Sequence, residues 1–269
     1  MAEKRTLVLY AFHEYNERVD LFIKNAIFDD EHTDFLIICN NLDIQFAVPP
    51  YVAVIHRDNI GYDFAAWSTG LFYNDVYKKY DNFIFVNSST IGPFLPANCK
   101  SRWTEIYING LTDNTKLFGS TINCHYFKCN SITMHENIML FSHVQTYIFS
   151  MQLETLEYLI KCEIFSKTNH STSFQKTIFN KEIGMSRKII ENNWNIGCLM
   201  RQYKGVDFRF IYKKPEDYDI EYIGDIMYPQ HLNKQFTPEE LVFIKGNRVN
   251  YIPASHYSIQ DFTEETKIE

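Results

Sequence analysis

Apolar residues fall into short runs separated by polar, Gly- or Pro-marked breaks, and the runs alternate between strand-like and helix-like spacing. Residues Thr6 to Phe12 (TLVLYAF) predict a short strand, and the polar stretch His13 to Arg18 leads into a helical segment through Ile27. A second strand covers Asp34 to Cys39 (DFLIIC) and ends in Asn40-Asn41. A third, Tyr51 to His56, follows the Pro49-Pro50 break. After a turn at Asn59-Ile60-Gly61, the residues Phe64, Trp67, Leu71, Phe72 and Val76 recur at helical spacing from Tyr62 to Lys79, and Asn82 to Val86 (NFIFV) predicts a fourth strand.

A further strand is expected over Lys116 to Thr121. A long helix is expected over Val144 to Cys162, with Ile148, Met151, Leu156 and Leu159 on its apolar face. Another helix opens near Glu182 and carries Ile183, Ile189, Ile190 and Trp194. Beyond about Lys213 the chain is rich in Tyr and Pro with poor periodicity, which predicts irregular structure wrapped on the core. Strands alternating with helices across short connections imply an α/β fold with parallel pairing through right-handed crossovers. Ligands bind such sheets beyond the carboxyl ends of the strands, which directs attention to Tyr10 to Glu14, Asn40-Asn41, Arg57 to Asp63 and Asn87 to Thr90.

Composition narrows the class. A chain of 269 residues suits one large α/β domain, divided here into a main unit over 1–212 and a C-terminal extension over 213–269 packed on it. With 45% hydrophobic and 22% charged residues the chain is globular rather than disordered. A net charge of −7 without any Lys/Arg run argues against a nucleic-acid partner. No apolar run reaches membrane length, and the first residues lack the form of a signal peptide. Cys39, Cys99, Cys124, Cys129, Cys162 and Cys198 are scattered without a disulfide or zinc pattern, as expected of reduced thiols in the cytosol. Aromatic residues, at 16%, serve equally as core or as flat platforms for sugars and bases.

Three clusters could carry chemistry. In Arg57 to Trp67 a strand end, a Gly turn and a helix start coincide. Gly61 permits close ligand approach, while Asn59 and Asp63 offer an amide and a carboxylate to hydroxyls or a base edge. An Asx turn at Asn59 and a helix-capping role for Asp63 account for the same residues. Asn87-Ser88-Ser89-Thr90 gathers polar groups at a strand end, either to hold a diphosphate or its metal or as a plain loop. Glu182 stands at an expected helix start, as a general base or a cap. Of the histidines, His143 opens the expected long helix, while His125, His135, His231 and His256 sit in polar surroundings and form no metal-binding pair. Without a GxSxG elbow, a Walker loop or GxGxxG, the hydrolase, P-loop kinase and dinucleotide readings lose their warrant.

Taken in order, five stretches resemble the rhamnan synthesis protein F glycosyltransferase family and related N-terminal glycosyltransferase domains of large algal viruses. They are Asn59 to Trp67, Tyr80-Asp81 with Val86 to Ser89 and Gly92-Pro93, Leu117 to Gly119, His143 to Tyr147, and Glu182 to Ser186. The tail segment Phe243 to Arg248 is similar to the viral relatives. The resemblance implies a GT-A-like, Rossmann-like fold that moves a sugar from a nucleotide diphosphate sugar to a hydroxyl, with inversion. L-rhamnose from a UDP or dTDP donor, and a glycan or lipid-linked glycan acceptor, are the expected substrates. It places Tyr10, Ala11, Phe12 and His13 at the base, Arg57, Asn59, Gly61 and Asp63 along the nucleoside, and Asn87, Ser88 and Ser89 at the diphosphate. Asn87 and Ser89 stand where the family's Asp-X-Asp motif holds Mn²⁺ or Mg²⁺, and their neutral oxygens bind a divalent cation far less well than carboxylates do. Lys245 or Arg248 is then expected to neutralise the leaving diphosphate. Glu182 is the expected catalytic base, with Asp63 or His143 in reserve, and the cytosol, where nucleotide-sugars are made, is the expected compartment. A degenerate fold that only binds nucleotide or sugar, and a structural protein without a ligand, are the competing readings.

Overall fold

The computed structural model describes residues 4–96, 98–123, 126–127, 139–140, 142–210 and 236–247. The first half builds β1 (Thr6–Phe12), α1 (Glu17–Asn25), β2 (Thr33–Cys39), β3 (Ala53–His56), α2 (Tyr62–Phe72), β4 (Asn82–Asn87), β5 (Thr90–Ile91) and α3 (Trp103–Asn109). Then come β6 (Thr115–Gly119), β7 (Ile122–Asn123), β8 (Tyr126–Phe127), β9 (Met139–Leu140), β10 (His143–Val144), β11 (Ile148–Gln152) and α4 (Leu153–Lys161). The last part holds α5 (Phe174–Thr177), a π-helical segment Ile178–Ile183, α6 (Gly184–Glu191), β12 (Asn195–Cys198), α7 (Pro238–Leu241) and β13 (Ile244–Lys245).

The main sheet has seven strands in the order β12-β6-β11-β4-β1-β2-β3. Pairs β1–β2, β1–β4, β2–β3 and β6–β12 are parallel, and β11 runs against both β4 and β6. The result is a mainly parallel α/β sheet flanked by helices, consistent with a Rossmann-like GT-A fold. Alternation along β1 explains why all seven of its residues are buried. Leu7, Leu9 and Ala11 join Trp67, Phe85, Phe149, Leu156 and Met185 on one face. Val8, Tyr10 and Phe12 join Phe22, Trp103, Tyr107 and Phe243 on the other. Strands covered on both faces read as continuous apolar runs, as these do. Among the described residues no helix is long and apolar enough to cross a membrane.

Three expectations are corrected. The helix expected over Val144 to Cys162 is instead β10, then β11, then a shorter α4 beginning at Leu153. Ile148, Phe149, Ser150 and Met151 are all buried, because β11 lies inside the sheet between β4 and β6, where no alternation survives to announce a strand. His143 therefore sits in a two-stranded ribbon with β7, opposite Asn123, rather than at a helix start. Glu182 is not at a helix start either. The rod begins at Phe174, capped by the Ser173 side chain on the Lys176 amide, and runs through the π-helical segment to Glu191. Trp194 lies beyond that rod, edge-on to Tyr158 at 5.2 Å. Of the tail, the described stretch 236–247 is ordered against the core: Phe236, Leu241, Val242, Phe243 and Ile244 are buried, and β13 pairs with β5.

Candidate functional site

β1 lies between β2 and β4, so the strand order reverses there and the chain leaves the carboxyl ends of β1 and β4 in a shared crevice. Asn87, the last residue of β4, organises this end. Its Nδ2 donates to Asp63 Oδ2 at 3.0 Å and to the Thr146 carbonyl at 3.5 Å, while its Oδ1 accepts from the Ser89 amide at 3.0 Å and the Ser89 hydroxyl at 2.5 Å. Glu182 arrives from the opposite helix, with Oε1 accepting from the Thr146 amide at 2.9 Å. Asp63 and Glu182 thus converge on one strand end from elements more than a hundred residues apart in sequence.

The backbone that delivers Asp63 is unusual. Gly61 has φ of 78° and Tyr62, a non-glycine residue, has φ of 57°, so two successive residues have positive φ at the start of α2. Gly61 is required twice over, since a Cβ there would stand 2.7 Å from both the Ala65 and His170 Cβ atoms. Asp63 does not cap α2, whose amino end has no side-chain cap. Its carboxylate faces Asn87 instead. Burial pushes the Asp63 carboxyl up to about 6, and the Glu182 charge adds to the rise against the opposing Asn87 hydrogen bond.

The remaining expected residues fall into place unevenly. Tyr10, Ala11 and Phe12 are at most 1% exposed, so their side chains belong to the core and offer nothing to a base in this conformation. Tyr10 stacks on Phe22 at 3.9 Å with its hydroxyl buried and without a hydrogen bond among the described residues, and burial holds that phenol well above its ordinary range. The Ala11 and Phe12 carbonyls already accept from Ser88 and Asn40. His13 reaches the Asn40 carbonyl through Nδ1 at 2.8 Å. Arg57 donates to Asn40 Oδ1 at 2.6 Å and to the Ile60 carbonyl at 2.7 Å, bracing the turn. Asn59 is exposed, and its side chain forms no hydrogen bond within the described residues, so no Asx turn engages it. Lys245 is brought opposite Thr90 in the β13–β5 ribbon, and the next residue, Gly246, donates to the Ser89 carbonyl at 2.5 Å. His143 is 3% exposed. Arg248, His125, His135, His231, His256, Cys124 and Cys129 lie outside the described residues.

Several contributors escaped the sequence reading. Thr146 serves through its backbone alone, which no side-chain pattern announces. Arg18, in the first turn of α1, fixes the Ser88 carbonyl through Nε at 2.8 Å. Ser186, one helical turn beyond Glu182, accepts from the Val144 amide at 3.0 Å and ties the helix to β10, two residues before Thr146. His170 packs on Gly61, and burial together with the Arg57 and Lys181 charges pushes its imidazole below the ordinary histidine value. The polar run Asn169 to Thr172 was the available signal for it.

As a cation site the strand end fits poorly. Asn87 Oδ1 is engaged by two donors from Ser89, and among the described residues no group of three or more His, Cys, Asp or Glu side chains gathers anywhere.

Against known proteins, the family described as rhamnan synthesis protein F matches residues 47–225, about two thirds of the chain. Two virulence protein VirA sequences of Vibrio anguillarum are 29% identical to this chain over 103 residues, 37% of this chain. The match spans 26% of each relative, so this chain corresponds to about a quarter of their length. The family match includes Asp63, Asn87, Thr146 and Glu182.

Proposed function

The chain belongs to the rhamnan synthesis protein F family, and from that premise we propose that it is a glycosyltransferase whose chemistry is centred on Asp63, Asn87 and Glu182. The observation that carries the reading is the convergence of these three side chains on the carboxyl end of β4, at the switch point of the sheet. The donor is a nucleotide diphosphate sugar, with L-rhamnose on UDP or dTDP as the first choice. Transfer goes to a glycan or lipid-linked glycan hydroxyl with inversion.

Glu182 is the proposed base. Its Oε1 is held by the Thr146 amide and its Oε2 accepts no hydrogen bond among the described residues, so one oxygen orients the group and the other is left to take a proton. The acceptor oxygen attacks the anomeric carbon, forming the new glycosidic bond as its proton passes to Glu182. The bond from the anomeric carbon to the diphosphate oxygen breaks, and its electron pair leaves with the nucleotide. Lys245, paired with Thr90 in the β13–β5 ribbon, is the proposed cation that opposes the charge developing on the diphosphate. Asp63 holds Asn87 in place and, with its raised carboxyl, is the reserve base. Because the strand end fits a cation poorly, the proposed step is drawn with protein groups alone.

The test is thermal unfolding with UDP, dTDP, GDP and CMP, each with and without Mn²⁺ or Mg²⁺, followed by release of nucleotide diphosphate from the matching nucleotide-sugars. A rise in Tm with UDP or dTDP and release lost in Glu182→Gln support the reading. A shift without turnover on any donor favours the degenerate binding protein. No shift at millimolar nucleotide overturns the glycosyltransferase reading.

A further inference from the structure

Beside the Asp63–Glu182 cluster, the turn after α4 and the helix from Phe174 border a half-open cavity of about 400 Å³. It adjoins the cluster at two points. Lys181 lines it and is the residue before Glu182. His170 also lines it and packs directly on Gly61. The wall is polar, with the Asn169 and Asn180 amides, the Thr172 hydroxyl and the Lys176 ammonium joining Lys181. Lys181 is only 6% exposed, and its Nζ donates to the Glu163 carbonyl at 2.5 Å. Among the described residues its ammonium makes no other hydrogen bond, which leaves donors for a guest.

The lining is mixed in charge. The Glu163 carboxylate stands in the same wall as the Lys176 and Lys181 ammonium groups and offsets one of their two charges. The His170 imidazole is the one ring among the described lining residues, a small platform for a nucleobase. A neutral pyranose suits it, because its hydroxyls both donate and accept while amides, hydroxyls and an ammonium group answer them. The helix that supplies Lys176 and Asn180 also carries Phe174, which is 64% exposed and meets Tyr62 edge-on at 6.1 Å. Tyr62 is held there by its left-handed backbone, and such strain persists where the surrounding structure fixes a group for use. The exposed Phe174 ring, meeting the partly buried Tyr62 that precedes Asp63, offers the apolar face that sugar C–H groups pack on.

We propose that this cavity is the acceptor subsite: Asn169, Asn180 and Lys181 hydrogen-bond a neutral pyranoside and Phe174 packs on its ring, presenting a free hydroxyl to Glu182. The assignment rests on the glycosyltransferase reading above and names the substrate class of its second half.

Saturation-transfer NMR with methyl α-L-rhamnopyranoside, methyl α-D-galactopyranoside and methyl β-D-glucopyranoside at millimolar concentration tests it, on the wild-type chain and on Phe174→Ala and Asn180→Ala. Both substitutions are on exposed side chains, and nucleotide-induced thermal shift is measured on the same samples as a control for folding. The expected result is saturation transfer to at least one glycoside, weakened at least about fivefold in each variant, with the nucleotide shift unchanged. No transfer to any of the three glycosides, or equal transfer in wild type and variants, overturns the subsite while leaving nucleotide binding to speak for the donor half. Glycoside binding that depends on Phe174 and Asn180 in a chain that gives no nucleotide shift overturns the acceptor role along with the transferase reading.

Discussion

Replacing Asp63 by Asn tests the electrostatics of the site through stability. In the fold this carboxyl titrates at about 6, against 3.8 for the exposed group. Between those values the folded chain keeps a proton that the unfolded chain has lost, so stability falls as pH rises through the interval. At about 1.4 kcal/mol per pH unit, a shift of about two units makes ionised Asp63 cost the fold about 3 kcal/mol above about pH 7 and nothing below about pH 4. Asparagine cannot ionise, and its Oδ1 still accepts from Asn87 Nδ2, so the hydrogen bond at 3.0 Å survives. Asp63→Asn is therefore expected to be up to about 3 kcal/mol more stable than wild type at pH 8, a gain of about 6 to 12 °C in Tm for a chain of this size, and to match wild type near pH 4. Urea unfolding of both proteins at the two pH values reads the difference directly. Carboxylates such as Asp20, lowered by Lys24, and Asp207, lowered by Arg209, titrate alike in both chains and cancel. The reasoning is refuted if the variant is less stable at pH 8, or if the difference between the proteins is the same at both pH values. Nucleotide-sugar turnover by the stabilised variant should fall, since a strained functional group is relieved at the expense of its use.

Two further outcomes follow from the supports of the site. Gly61→Ala places a Cβ 2.7 Å from the Ala65 and His170 Cβ atoms at a φ of 78°, and should lose about 1 to 3 kcal/mol in urea unfolding; a loss under about 0.5 kcal/mol would show that the His170 loop yields freely. Ser186→Ala leaves the Val144 amide unpaired at a fully buried position and should cost about 1 to 3 kcal/mol, with faster amide hydrogen exchange at Val144 as the local signature; unchanged exchange would remove Ser186 as the tie between helix and strand.

Much of the fold was legible because the chain obeys its own local rules. β1 spans Thr6 to Phe12, the same limits that its apolar run predicts, and β2, β4 and β6 begin or end within two residues of the expected bounds. What escaped was β11, whose apolar residues satisfy helical spacing and the pattern of a doubly buried strand equally well, since periodicity cannot separate the two. The start of the helical rod at Phe174 was hidden for a related reason: Phe174 and Phe179 are exposed, at 64% and 57%, so the first turns carry no inward apolar stripe. At the site, side chains at strand ends could be read in advance, whereas the backbone groups of Thr146 that hold Glu182 and meet Asn87 could not. Tyr10, Ala11 and Phe12 illustrate the converse, a strand end whose position suits a ligand but whose side chains alternate into core.

The neutral residue at the end of β4 makes sense once its neighbours are known. Asp63 already carries a raised carboxyl, from burial first and from Glu182 in addition, and its principal relief is the Nδ2 donor of Asn87. An acidic residue at position 87 would withdraw that donor and set a third negative charge between the other two, an arrangement that carboxylates tolerate only by taking up protons or a cation. Asparagine instead donates to Asp63, accepts from Ser89 and approaches the Thr146 carbonyl, so every polar atom of its side chain is used by the protein. The carboxylates of the site stand on the two helical segments that face the strand rather than on the strand itself. That placement is what the proposed role of Glu182 as a base toward an acceptor hydroxyl requires.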